Sequence, residues 1–218
     1  MDKSYNEIIK HKLDVVIYNQ KLLDLYCSKN DNINIHIKFN TGMNRYGFDA
    51  SEVDELVANL KKYPKLKIQS ICSHLAASDN SEKDSFTNTQ FQVFDKVSSS
   101  FSKMINQLID RHLLNTNGVL RFPNKEYEMV RLGIGLYGVG NDDNLQHVST
   151  LKSVISQVRA IKKGSKVGYD ASFLAEEDMI IGVGPFGYAD GLNRKLSANN
   201  GVIIVQNIAC PIIGKISM

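Results

Sequence analysis

A change of periodicity near residue 140 constrains the fold of this chain more than any other feature. Before it, short β-like runs alternate with helical stretches, the pattern of a parallel α/β architecture. Residues 13–18 (LDVVIY) predict a strand and residues 20–28 a short helix. Residues 33–40 (INIHIKFN) alternate strictly, with Ile33, Ile35, Ile37 and Phe39 on one face and Asn34, His36, Lys38 and Asn40 on the other. A buried parallel strand is ordinarily apolar on both faces. In a closed barrel, one face meets the outer helices, and polar residues at the strand's C-terminal end line the mouth where barrel active sites lie. Val53, Leu56, Val57 and Leu60 follow at helical spacing, and residues 66–76 predict a third strand. Residues 84–109 predict a long helix with Phe91, Phe94, Val97, Phe101, Met104, Ile105 and Leu108 on one stripe, read as core. Residues 112–115 and 131–137 complete a set of five β-elements.

Beyond about Gly140 the helical period fades. Residues 154–161, 179–183, 201–205 and 208–213 are β-rich and separated by Gly-containing turns, which predicts a separate all-β region. The expected division is residues 1–142 as part of a barrel and 143–218 as a β-domain. Hydrophobic residues at 43% and charged residues at 22% fit a globular chain, and a formal net charge of +3 argues for neither nucleic acid nor a membrane surface as partner. Cys27, Cys72 and Cys210 are odd in number and widely spaced, which favours a reducing compartment over a disulfide framework. No apolar run approaches the roughly 20 residues of a membrane span. The polar start MDKSYNEIIKHK lacks a signal-peptide core, so a cytoplasmic location is expected.

Gly133, Gly135 and Gly138 satisfy GxGxxG, but a turn-like run, residues 139–147, follows where a dinucleotide site needs a helix. These glycines are read as turn or close-approach positions. The segment HIKFNTGMNRYGF, residues 36–48, delivers Lys38 to a barrel mouth and Arg45 to the turn after it. Two such cations side by side are costly without a negative charge near them: a substrate carboxylate, a phosphate or a modified lysine. An ordinary surface arginine after a turn would be the better reading of TGxxR seen alone. CSHLAASD places His74 at a strand end, where a satisfied polar residue is the common case. The five histidines show no metal-ligand spacing, so no metal site is expected. In HLLNTNGVLRFP, Thr116 offers a hydroxyl at a strand end beside freed backbone N–H groups, which suits phosphate, although Asn-Gly also marks any turn. MVRLGIGLYG sets Arg131 just ahead of Gly133 and Ile134, and KVGYDASF and GPFGYADG carry Tyr169 and Tyr188.

The order and spacing of TGMNR-GF, NTNGVLRFP, MVR-GIGLYG and P-GYADG resemble the alanine racemase family over the whole chain, from about the fourth barrel strand into the C-terminal β-domain. The resemblance implies a partial (β/α)8 barrel, about strands 4–8, followed by an incomplete β-domain. It also implies a pyridoxal 5'-phosphate-dependent isomerase that interconverts L- and D-alanine for bacterial cell-wall peptidoglycan. Tyr169 then matches the catalytic tyrosine given by the partner subunit of a homodimer. His74 matches the histidine bonded to the arginine at Arg131, which faces the pyridine nitrogen. Thr116, Gly133 and Ile134 match the phosphate cradle. Arg45 and the backbone of Met218 match substrate-carboxylate contacts, and Lys38 matches a lysine carbamylated in many members. Thr116 stands where the family has serine, Asn117 where it has a smaller residue, and Asn40 where an aspartate is common.

The resemblance further implies a chain that lacks the first three barrel strands, the cofactor-anchoring lysine and the end of the β-domain. Such a fragment is expected to be inactive and poorly soluble alone. The alternatives are a racemase of serine or another small amino acid, a non-catalytic pyridoxal-phosphate-binding relative, and a degenerate product. The β-region and Tyr169 argue against the non-catalytic relative, and the undamaged motifs argue against the degenerate product.

Overall fold

The computed structural model describes residues 2–140 and 142–218, and Asn141, within the turn-like run 139–147, lies outside the described residues. The chain divides into two compact units, residues 1–149 and 150–218. In the first, α1 (Asp2–Lys10) leads into β1 (Val15–Ile17), α2 (Gln20–Lys29), β2 (Ile33–Lys38), α3 (Val53–Leu60), β3 (Leu66–Cys72), α4 (Asp84–Ile105), β4 (Asp110–His112) and α5 (Thr116–Arg121). The four strands form one parallel sheet in sequence order. That sheet, with helices between its strands, is the predicted barrel segment.

Alternation decides which face is dry. Ile33, Ile35 and Ile37 are buried, as are Val15 and Ile17 of β1, and they pack with Leu56, Val57 and Leu60 of α3 and Phe94 and Phe101 of α4. The opposite face carries His36, Lys38, Ser70, Cys72 and His112. Ser70 and Cys72 reach it because β3 contains a bulge: Ile35 pairs with Ile68, but His36 pairs with Ser70, which leaves Gln69 as the extra residue. An extra residue inverts the parity of everything after it. Leu66 and Ile68 therefore lie with the apolar set, and Ser70 and Cys72 with the polar one.

Two expectations are corrected. Residues 131–137 are not a strand: Met129 N–H and Arg131 N–H bond Arg111 O and Leu114 O alongside β4 at 3.2 and 3.1 Å, and then Ile134–Tyr137 forms a 3-10 turn. The amides of Gly133 and Gly135 go to the Thr116 hydroxyl instead of a strand partner, so the sheet has four strands rather than five. Leu108 is not core. Helix α4 stops at a left-handed Asn106 (φ 57°), and Leu108 beyond it is 99% exposed.

The second unit holds three antiparallel pairs: β5 (Gln157–Ile161) with β8 (Met179–Val183), β6 (Lys166–Val167) with β7 (Phe173–Leu174), and β9 (Val202–Val205) with β10 (Ile208–Pro211). This is the all-β region that the loss of helical period predicts. Among the described residues no helix is long and apolar enough to cross a membrane.

Candidate active site

The polar face of the sheet converges on Arg131. Its Nη2 donates to Ser73 O at 2.6 Å, His74 Nδ1 at 3.0 Å and Leu113 O at 3.3 Å, and its Nη1 donates to His112 O at 3.1 Å and to His112 Nδ1. A guanidinium donates only, so both ring nitrogens that face it must be unprotonated acceptors. His74 and His112 are accordingly pushed down to about 4, chiefly by burial and then by the Arg131 charge. They are neutral at pH 7.

Lys38 ends β2 level with Cys72, its ammonium 5.8 Å from the centre of the Tyr46 ring. Burial, Arg131 and Arg45 lower its pKa, against an opposing pull from Cys72, whose own thiol burial pushes up. Among the described residues no carboxylate pairs with Lys38, Arg45 or Arg131. The sheet end is a concentration of positive charge without its own counterion, and such a site favours anions.

Arg45 lies exposed in the turn after β2, beside a cavity of about 220 Å³ lined also by Asn40, Asn44 and Asp49. Asn40 builds that turn. Its Oδ1 accepts from the amides of Gly42 and Asn44, and its Nδ2 donates to Asn44 Oδ1 and Asp49 Oδ1, both at 2.9 Å. An aspartate here would set two carboxylates against each other, so asparagine suits a chain that has Asp49. Gly47 (φ 126°) closes the turn, where a Cβ would sit 2.4 Å from the Phe39 carbonyl carbon.

Thr116 opens α5, capped by Asn115 Oδ1 on the Gly118 amide at 2.9 Å. Its buried Oγ1 accepts from Gly133 N–H at 3.1 Å and Gly135 N–H at 3.0 Å. Gly135 has to be glycine, because a Cβ would lie 2.7 Å from Thr116 Cγ2. The structure thus brings Thr116, Gly133, Arg131, His74 and Lys38 into one unit, with Ile134 opening the 3-10 turn. Tyr169 and Met218 belong to the second unit. Tyr169 is 69% exposed in the turn after β6, and Met218 O accepts from Ala189 N–H at 2.8 Å. The sequence reading missed His112 and Ser70, whose partners lie tens of residues away and leave no local signature. Among the described residues no cluster of three metal-ligating side chains occurs.

Residues 1–141 match the family described as "Alanine racemase, N-terminal domain", and residues 148–218 match "Alanine racemase, C-terminal domain". A curated relative, the alanine racemase of Fusobacterium nucleatum subsp. nucleatum, is 36% identical over 218 residues, which cover 97% of this chain and 60% of that protein. The chain spans about three-fifths of the length of the curated relatives it matches. The crystal structure of alanine racemase from Bartonella henselae, with covalently bound pyridoxal phosphate, is 28% identical with a TM-score of 0.79, covering 100% of this chain and 61% of that one. The enzyme from Streptomyces lavendulae shares the fold at a TM-score of 0.89 and 24% identity, covering 97% and 59%.

Proposed function

Because the chain belongs to the alanine racemase family, we propose that it supplies the cofactor-holding and proton-transferring groups of an enzyme that interconverts L- and D-alanine with pyridoxal 5'-phosphate. The observation that carries this reading is the half-buried Arg131, held by carbonyls and neutral histidines at the end of a parallel sheet. The residues fit the cofactor. Thr116 Oγ1, which accepts from the Gly133 and Gly135 amides, keeps its own proton to donate to a phosphate, and the uncompensated cations favour an anionic ligand. When bound, pyridoxal phosphate withdraws electrons from the amino acid's α-carbon and so makes its α-proton easier to remove.

Arg131 would face the ring nitrogen. Its permanent charge opposes protonation there, which keeps electron withdrawal modest and limits side reactions. Arg45, with Lys38, would hold the substrate carboxylate. Carbamylation of Lys38 would give this cation cluster an anion of its own. Tyr169, donated by the partner subunit of a homodimer, would hold or remove the α-proton on one face, and its exposure in this chain suits that role. The family's other base, a lysine, has no counterpart in motif among these 218 residues. We place the enzyme in the cytoplasm as a source of D-alanine for peptidoglycan.

The coding DNA on either side of this chain should be read for an in-frame extension, and the extended protein and the 218 residues alone assayed with cofactor. We expect the extended protein to racemise L-alanine and the 218 residues not to. Cofactor binding by the extended protein without racemisation would favour a non-catalytic relative. Faster turnover of serine would reassign the substrate, and racemisation by the 218 residues alone would overturn the two-base reading.

A further inference from the structure

A chain of side chains runs from Arg131 across the polar face of the sheet to the start of β1. His112 Nε2 lies 2.8 Å from Ser70 Oγ, Ser70 Oγ lies 2.6 Å from His36 Nδ1, and His36 Nε2 lies 3.5 Å from Asp14 Oδ2. The register makes this a diagonal. His36 is level with Ser70 and with Val16, two residues past Asp14, and His112 is level with Cys72, two residues past Ser70. Asp14, just before β1, is the outer end, its side chain 41% exposed, whereas Ser70 is fully buried.

The direction of every bond follows from the first. Arg131 can only donate, so His112 Nδ1 is bare and its proton sits on Nε2. That N–H donates to Ser70 Oγ, which leaves the Ser70 hydroxyl proton one use, donation to His36 Nδ1. His36 then carries its own proton on Nε2, aimed at the Asp14 carboxylate. The reverse orientation would point two N–H groups at Ser70, strand its buried hydroxyl proton and set a bare His36 nitrogen against a carboxylate. Leaving a buried donor unpaired costs about 1–3 kcal/mol.

We propose that Ser70, His36 and Asp14 are positioning residues: a one-way relay of two hydrogen bonds and a terminal polar contact with an exposed carboxylate, which braces the His112 ring and through it the orientation of Arg131. The bulge at Gln69 is what turns Ser70 onto this face. Asp14 is itself held by Asn34 Nδ2 at 3.1 Å, and Asn34 Oδ1 accepts from Gln69 Nε2 at 3.2 Å, so the bulge residue also braces the outer end. The role of Arg131 toward the cofactor rests on the reading above, but the relay can be tested with no cofactor or substrate present.

The test is nitrogen NMR of the protein labelled with ¹⁵N-histidine, in which ring shifts report the tautomer directly. His36, His74 and His112 are expected each to show a single Nε2–H tautomer at pH 7, with exposed His147 as an internal reference. Ser70→Ala is expected to move the ring-nitrogen signals of His112 and His36 while leaving those of His74 unchanged. Asp14→Ala, at a partly exposed position that does not threaten folding, is expected to move those of His36. Asp14→Asn, which keeps an acceptor, is expected to restore them. A proton on Nδ1 of His36 or His112 in the unaltered protein would overturn the relay. So would a Ser70→Ala variant whose His112 signals do not move, since the relay would then not brace that ring. Failure of the extended protein to racemise alanine would count against the functional reading alone.

Discussion

Arg131 is a half-buried cation whose neighbours offer it only lone pairs, and that arrangement dictates an acid response. His74 and His112 sit at about 4 when folded and near 6.5 when unfolded. Between those values the unfolded chain binds more protons than the native one, so stability rises with pH there. These two groups are therefore fully stabilising above about pH 6.5, lose their contribution as pH falls toward 4, and change nothing further below it. Carboxylates held low by cations, such as Glu128 beside Arg111, lose theirs only at lower pH. The denaturant midpoint is expected to fall steadily from pH 6.5 to 4.5. His112→Gln, which can still accept from Arg131 and donate to Ser70, should remove about half of that slope. A flat midpoint across the window would mean that neither histidine is held neutral. Motif spacing made His74 and Arg131 legible in the sequence. His112 and Ser70 were not, because a run of residues does not show which strands become neighbours.

At the level of the element, β3 shows how much alternation alone can tell. Its apolar residues fall at Leu66, Ile68 and Ile71, and the slip from a spacing of two to three marks the bulge. Deleting Gln69 should be tolerated, because Ile68 and Ser70 keep their partners Ile35 and His36 once the extra residue is gone. Deleting Lys67 should not be. It would push Ile68 onto the polar face and Gln69 into the core, the inversion that a one-residue slip imposes on a strand. Thermal denaturation of the two deletion variants checks this, and equal loss of stability in both would refute the bulge account. Helix α4 was legible through its Phe91, Phe94, Val97 and Phe101 stripe, all buried, but its end was not. Periodicity ran on through Leu108, and a single left-handed Asn106 stopped the helix first. The segment 131–137 was misread for a related reason. Its apolar residues suit a strand, yet its glycines are spaced to bring two amides onto one hydroxyl.

Over the whole molecule, the two units differ in how they are held together. The core cluster lies entirely within the first unit, whereas the only buried apolar side chains of the second are Ala175 and Ile216 among the described residues. The second unit relies on isolated two-stranded pairs, which alone are marginally stable in water. Its strands also present Val158, Ile180, Val202, Ile204 and Ile208 to solvent in this chain. Local stability follows buried apolar contact, so hydrogen exchange should divide the chain in the same way. Peptides covering β2, β3 and residues 91–101 are expected to exchange slowest. Those covering β5, β8, β9 and β10 should exchange much faster in the isolated chain, despite complete backbone pairing of β5 with β8. If the homodimer proposed for the extended protein forms, exchange in the second unit should slow as protein concentration rises, while the already buried β2 and β3 peptides stay unchanged. Equal protection of β5 and β2 in the monomeric chain would show that pairing, rather than burial, sets stability in the second unit.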